Sequence, residues 1–236
     1  MSNELSRRDF FKTAALAGAS LVIPSVEFKL PINLPLDVLP ETSVVHSSLP
    51  FGKKLENIMG DGVYPVLGYR HLQETVKVDN TPDGGHHIGV DFNWGDFDED
   101  MGTPLKLIFN GVCVFAGDGE WRNLGKVAIF CHRLPDDSLI YSRYAHLDSW
   151  LVKPGKNYEA GDLVGKMGKS GWKNGFSHLH LDIANRECFE GHYLDDPWWY
   201  PHKAPVREIE RYYLDPVELI KKYQEKRVIR HNPPRE

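Results

Sequence analysis

The sequence predicts a mostly β, antiparallel domain on three observations. Short apolar runs recur through its middle: Leu105 to Ile108, Val112 to Ala116, Lys126 to Cys131, Leu139 to Tyr144, Leu163 to Met167 and His178 to Ile183. Glycine turns separate them. One helix is expected at the end, where Pro216 suits a first-turn position and Val217, Leu219, Ile220 and Tyr223 follow with helical spacing.

The elements follow in chain order. Ser6-Arg7-Arg8-Asp9-Phe10-Phe11-Lys12 precedes an apolar, small-residue stretch from Thr13 to Ile23, which reads as a twin-arginine export signal over residues 1–25. The stretch is shorter than the roughly 20 residues of a spanning helix. Ala17-Gly18-Ala19 offers a weak cleavage site ahead of Pro24. Residues 26–83 form an N-terminal extension whose first half is rich in proline, a linker or a strap along the domain. From Phe51 to Asn80 short apolar groups such as Val63 to Leu67 could add an edge strand. Pro82-Asp83-Gly84-Gly85 is a turn signal. The folded domain is expected over 84–220, with an aromatic insertion at 187–213 and a charged tail at 221–236.

Composition sets the bounds. About two hundred residues follow the signal, enough for one core plus appendages, and a hydrophobic content of 41% supports a folded chain. Net charge is -5, and the first 25 residues carry three cations against two anions, so the remainder stands at -6. That balance argues against a nucleic-acid partner. The three cysteines cannot all pair within one chain. Cys113 and Cys131 lie on runs that look like arms of one hairpin, leaving a disulfide and buried free thiols both open.

Chemistry concentrates in two stretches about ninety residues apart, His87-Ile-Gly-Val-Asp91 and His178-Leu-His180. A catalytic zinc ion takes three N/O ligands and leaves a position open, so two His and one Asp suffice. On an extended strand His178 and His180 share a face roughly 6 to 7 Å apart. His87 and Asp91 would stand about 13 Å apart if extended, so the backbone must bend between them, and Gly89 permits it. His86 is set aside because only His87 stands four residues before Asp91. Spacing alone does not decide between His178 and His180. A third histidine, in Tyr144-Ala145-His146-Leu147, closes the strand-like run from Ser138 to Ala145.

The order HxGxD, YAHL, HLH resembles the lysostaphin-type (LytM-like) zinc metallopeptidases, which cut peptide bonds in bacterial cell-wall peptidoglycan. Lesser signposts fit as well: Gly102-Thr103-Pro104, Asn110-Gly111-Val112, Gly155 and Gly161, Gly168-Lys169-Ser170-Gly171 and Leu214-Asp215-Pro216. The resemblance covers roughly residues 84 to 219. It implies a compact antiparallel β sandwich around a groove holding one zinc ion per chain. It makes His87, Asp91 and His180 the metal ligands, and places His146 and His178 beside the metal-bound water as the catalytic pair, without saying which is the base. Gly125-Lys126 and Phe176-Ser177 depart from the family pattern at positions that bear on substrate preference. The insertion, with Tyr193, Trp198, Trp199 and Tyr200, either walls the groove or packs on the sheet as a lid.

The expected function is therefore zinc-dependent endopeptidase action on peptidoglycan stem peptides or cross-links. Partners are the wall peptide and the twin-arginine export machinery. The site of action is periplasmic or extracellular, with membrane contact only through an uncleaved signal. The rival expectations are a catalytically silent relative that binds wall peptide or activates an amidase, and a zinc peptidase for a secreted protein.

Overall fold

The computed structural model describes residues 70–76, 82–93, 97–119, 123–172 and 175–224. The expected export signal, the proline-rich segment, the stretch from Phe51 to residue 69 and the tail beyond residue 224 lie outside these residues. Among the described residues no helix is long and apolar enough to cross a membrane.

The strands are β1 (Glu74–Val76), β2 (Pro82–His86), β3 (Val90–Phe92), β4 (Pro104–Lys106), β5 (Gly111–Gly117), β6 (Val127–Arg133), β7 (Leu139–Ala145), β8 (Ser149–Trp150), β9 (Asn157–Tyr158), β10 (Leu163–Lys166), β11 (Leu179–Asn185) and β12 (Tyr213–Leu214). Among the described residues three helices accompany them: α1 (Arg186–Cys188), α2 (Val206–Tyr212) and α3 (Pro216–Gln224), with a π turn at Phe189–Tyr193. The main sheet runs β12-β11-β7-β6-β5-β9, and β3 also pairs with β11. A second sheet has the order β4-β10-β8, and β1 and β2 form a hairpin. Every pairing is antiparallel.

Strand alternation builds two cores. Ala128 and Phe130 of β6 and Leu179, Leu181 and Ile183 of β11 join one cluster with Leu105 and Val164 of the smaller sheet. Val127, Ile129 and Cys131 face the other way, into a cluster with Tyr193, Trp198 and Ile209 from the insertion. Thus the insertion covers the second face of the main sheet. Trp198 shows how tightly: its indole Nε1–H donates to the Gly125 carbonyl at 2.7 Å, and its ring meets Phe115 edge-on.

The expected mostly β architecture is present, with the strand runs displaced by a residue or two at their ends. The turn expected at Pro82 to Gly85 is instead strand β2, because His86 and Pro82 pair with Glu74 and Val76 of β1. All three cysteines are free and buried. Cys113 stands opposite Phe130, with Cys131 opposite Val112. The two thiols enter different cores, which decides between the two open readings.

Candidate metal centre

The site lies where β3 meets β11. Asp91 stands directly opposite His180 in the antiparallel register, so the two side chains leave the sheet together. His180 and Asp182 face away from the core that Leu179, Leu181 and Ile183 fill. Before β3, residues 88–89 bend the chain and bring His87 back over Asp91. Glycine is required at that bend by space: a Cβ on Gly89 would sit 2.3 Å from the Leu181 carbonyl oxygen of β11.

Three potential ligand atoms converge there. His180 Nδ1 lies 3.0 Å from both His87 Nε2 and Asp91 Oδ1, and His87 Nε2 is 3.1 Å from the same Asp91 oxygen. All three residues are buried. The outer ring nitrogens are already occupied. His87 Nδ1–H donates to the Gly89 carbonyl at 2.9 Å, and His180 Nε2 lies 3.2 Å from Asp182 Oδ2. With those donors used, neutral rings present lone pairs at both inner nitrogens towards a carboxylate, an arrangement that a cation satisfies. Two imidazoles and one carboxylate suit zinc and leave a coordination position open. The residues fit the metal that the sequence leads one to expect.

Electrostatics agree. Burial opposes charge on Asp91, but the His87 and His178 imidazoles and the hydrogen bond from His180 outweigh it and hold the carboxyl well below its ordinary range. Burial also pushes against charge on His180, yet the Asp182 and Asp91 carboxylates, one at each ring nitrogen, raise its pKa. A metal ion held here would take the place of the proton that His180 Nδ1 otherwise gives to Asp91.

His146 and His178 complete the group. Their rings lie 4.5 Å apart, and His146 is 6.0 Å from the His180 ring. Each is oriented in the same way, with Nδ1–H donating to a carbonyl: Ser170 at 2.9 Å for His146, Phe176 at 2.8 Å for His178. Nε2 of His178 is buried without a hydrogen-bond partner, 3.8 Å from Asp91 Oδ1. His146 has φ of 57°, a left-handed conformation that a non-glycine residue adopts at a cost and that turns its ring back to the site. Burial, with His178 and His180 alongside, keeps the His146 imidazole neutral far below its ordinary pKa. All five residues singled out in the sequence therefore meet in one place. They line a cavity of about 310 Å³ together with Thr75 and Asp83 of the β1–β2 hairpin, Trp172, and Tyr200 and His202 of the insertion.

The sequence reading missed the residues behind and around the ligands. Asp182 continues the alternation of His178 and His180, a signal that was available in the sequence. Arg143 pairs with it from β7, a contact visible only once the register is known. The insertion does both things open to it: Trp198 and Tyr193 pack on the sheet while Tyr200 lines the cavity.

Residues 85–195 match the model of Peptidase family M23. The glycyl-glycine endopeptidase ALE-1 of Staphylococcus capitis is 31% identical over 117 residues, which are 48% of this chain and 28% of the relative. Lysostaphin of Staphylococcus simulans is 34% identical over 101 residues, 42% of this chain and 18% of that protein. The chain thus spans under a third of the length of these two relatives. The crystallised catalytic domain of lysostaphin is 25% identical, with 66% of this chain and 90% of that one aligned at a TM-score of 0.42. The stretch that holds all five gathered side chains is the one that matches the model of Peptidase family M23.

Proposed function

We propose that the chain is a zinc-dependent endopeptidase that hydrolyses peptide bonds in bacterial cell-wall peptidoglycan, exported by the twin-arginine route to act outside the cytoplasm. The observation that carries this reading is the convergence of His87 Nε2, Asp91 Oδ1 and His180 Nδ1 within 3.1 Å, with two further imidazoles beside them. The likeness to the glycyl-glycine endopeptidase ALE-1 supports a peptide substrate.

His87, Asp91 and His180 would hold one zinc ion, which when bound polarises a carbonyl and lowers the pKa of water towards about 7. The remaining work falls to the chain. His146 and His178 each have Nδ1 tied to a carbonyl, so Nε2 is the atom at which either accepts a proton from the attacking water and returns it to the leaving amine. Trp172 and Tyr200, on the lining, limit water around the reacting bond and orient the peptide.

The test is digestion of purified cross-linked peptidoglycan by the chain lacking residues 1–25, read by mass spectrometry. Metal-stripped protein and a His180→Ala variant run alongside. Loss of cross-linked fragments that depends on zinc and on His180 is expected, and the masses identify the bond. A folded, zinc-loaded protein that leaves the wall intact would point to a silent binding relative or to a secreted protein substrate. Changing Arg7 and Arg8 to Lys should trap the precursor inside the cell; unchanged export would remove the twin-arginine assignment.

A further inference from the structure

Behind the metal ligands lies a buried ion pair that the reaction does not touch. Arg143 of β7 and Asp182 of β11 face each other in register, and both side chains are fully buried. Arg143 Nε donates to Asp182 Oδ2 at 2.9 Å, and Nη2 lies 2.8 Å from the same oxygen. That oxygen is also the one within 3.2 Å of His180 Nε2. On its other edge the guanidinium leaves the sheet: Nη1 donates to the carbonyls of Pro197 and Trp199, each at 2.9 Å. Tyr193 closes the cluster, its hydroxyl donating to Asp182 Oδ1 at 2.8 Å and its ring lying 4.4 Å from the guanidinium.

The two carbonyls belong to the segment that carries Tyr200, whose ring stands 5.5 Å from that of His180 and lines the cavity. This segment lies past residues 85–195, which match the peptidase family model. A guanidinium is planar and rigid, with donors at fixed angles, so it cannot follow a shift of the carboxylate on one edge without straining its carbonyl bonds on the other. A chain of contacts therefore runs from His180 through Asp182 and Arg143 to Pro197 and Trp199.

We propose that Arg143 is a positioning residue that locks the metal ligand His180 and the cavity wall Pro197–Tyr200 into one unit, so that metal binding and order in the wall are coupled. The inference rests on the proposed metal site. By reciprocity, whatever factor zinc contributes to ordering the wall is the factor by which an ordered wall tightens zinc. Neither a purely structural salt bridge nor an independent lid has that property.

The experiment pairs two readouts on the folded chain lacking residues 1–25: zinc affinity by competition with a chelating dye, and amide exchange across residues 197–202 with and without zinc. In the unaltered protein zinc should slow exchange in this segment. Arg143→Lys keeps a cation beside Asp182, but one ammonium cannot span the carboxylate and both carbonyls. It should bind zinc about tenfold more weakly, at the lower end of the effect of removing a partner behind a metal ligand, and zinc should no longer slow exchange in 197–202. If that variant does not fold, Asp182→Ala leaves the carbonyl bonds of Arg143 in place and removes the oxygen that links it to His180. It should show the same loss of coupling. Zinc affinity equal to the unaltered protein in a folded variant, or exchange in 197–202 indifferent to zinc in the unaltered protein, overturns the proposal. Failure of the unaltered protein to bind zinc overturns the metal site itself, and the coupling with it, an outcome visible before any variant is made.

Discussion

At the scale of single residues, the five polar side chains divide by what each of their nitrogens or oxygens faces. His87, Asp91 and His180 turn donor atoms towards one another, whereas His146 and His178 stand to the side with Nε2 free of the backbone. Their substitutions should therefore separate. His180→Ala is expected to lose zinc and activity together. His146→Ala and His178→Ala should retain one zinc per chain and lose about 10²- to 10⁴-fold in kcat, the usual worth of a positioned acid or base; metal analysis beside peptide-release kinetics distinguishes the two classes. Gly89→Ala is expected to fail differently. Its Cβ meets a backbone carbonyl of β11, so β3 must move away from His180, and both soluble yield and zinc content should fall. Most of this set was legible in the sequence, because HxH alternation and a glycine between His87 and Asp91 are local patterns. Arg143 was not, since its meaning lies in a partner 39 positions along the chain.

At the scale of elements, β6 and the insertion carry the testable weight. His132 of β6 is fully buried, its Nδ1–H donating to the Asn110 carbonyl at 2.9 Å and its Nε2 lying 2.7 Å from the Ser142 hydroxyl. Burial pushes its pKa down from 6.5 to about 4, with the Asn110 bond opposing. The unfolded chain therefore binds a proton that the folded one refuses. The stability His132 confers is complete above pH 6.5, declines as pH falls, and is gone below about 4, a loss on the order of 3 kcal/mol. Urea unfolding at pH 7 and pH 4.5 should show the decline, and His132→Gln should make it shallower. In the insertion, Ile209 of α2 is fully buried against the second face of the sheet. Ile209→Ala should cost about 2–5 kcal/mol by the same measurement. A loss below about 0.5 kcal/mol would mean that α2 is not part of the cooperative fold. Strands β5 to β7 were readable because short apolar runs bounded by turns mark strands buried on both faces. The β1–β2 hairpin was not, because proline and two glycines disguise β2 as a turn, and only pairing with β1 makes it a strand.

At the scale of the whole molecule, two sheets and an aromatic layer meet around the cavity that holds the five side chains. The sandwich core between the sheets fixes β11, and the insertion roofs the opposite face, so that the proposed metal ligands sit at the boundary between the two clusters. The mostly β class followed from short runs and turns. The second core did not, because rings at 187–213 carry no periodicity that says which surface they cover. The most direct test of the zinc peptidase account is a titration of metal-free protein with zinc, read as new amino termini released from cross-linked peptidoglycan. Activity should rise from near zero and level off at one zinc per chain, with no rise for His180→Ala. Full activity before zinc is added, or release that rises equally in the variant, would contradict it.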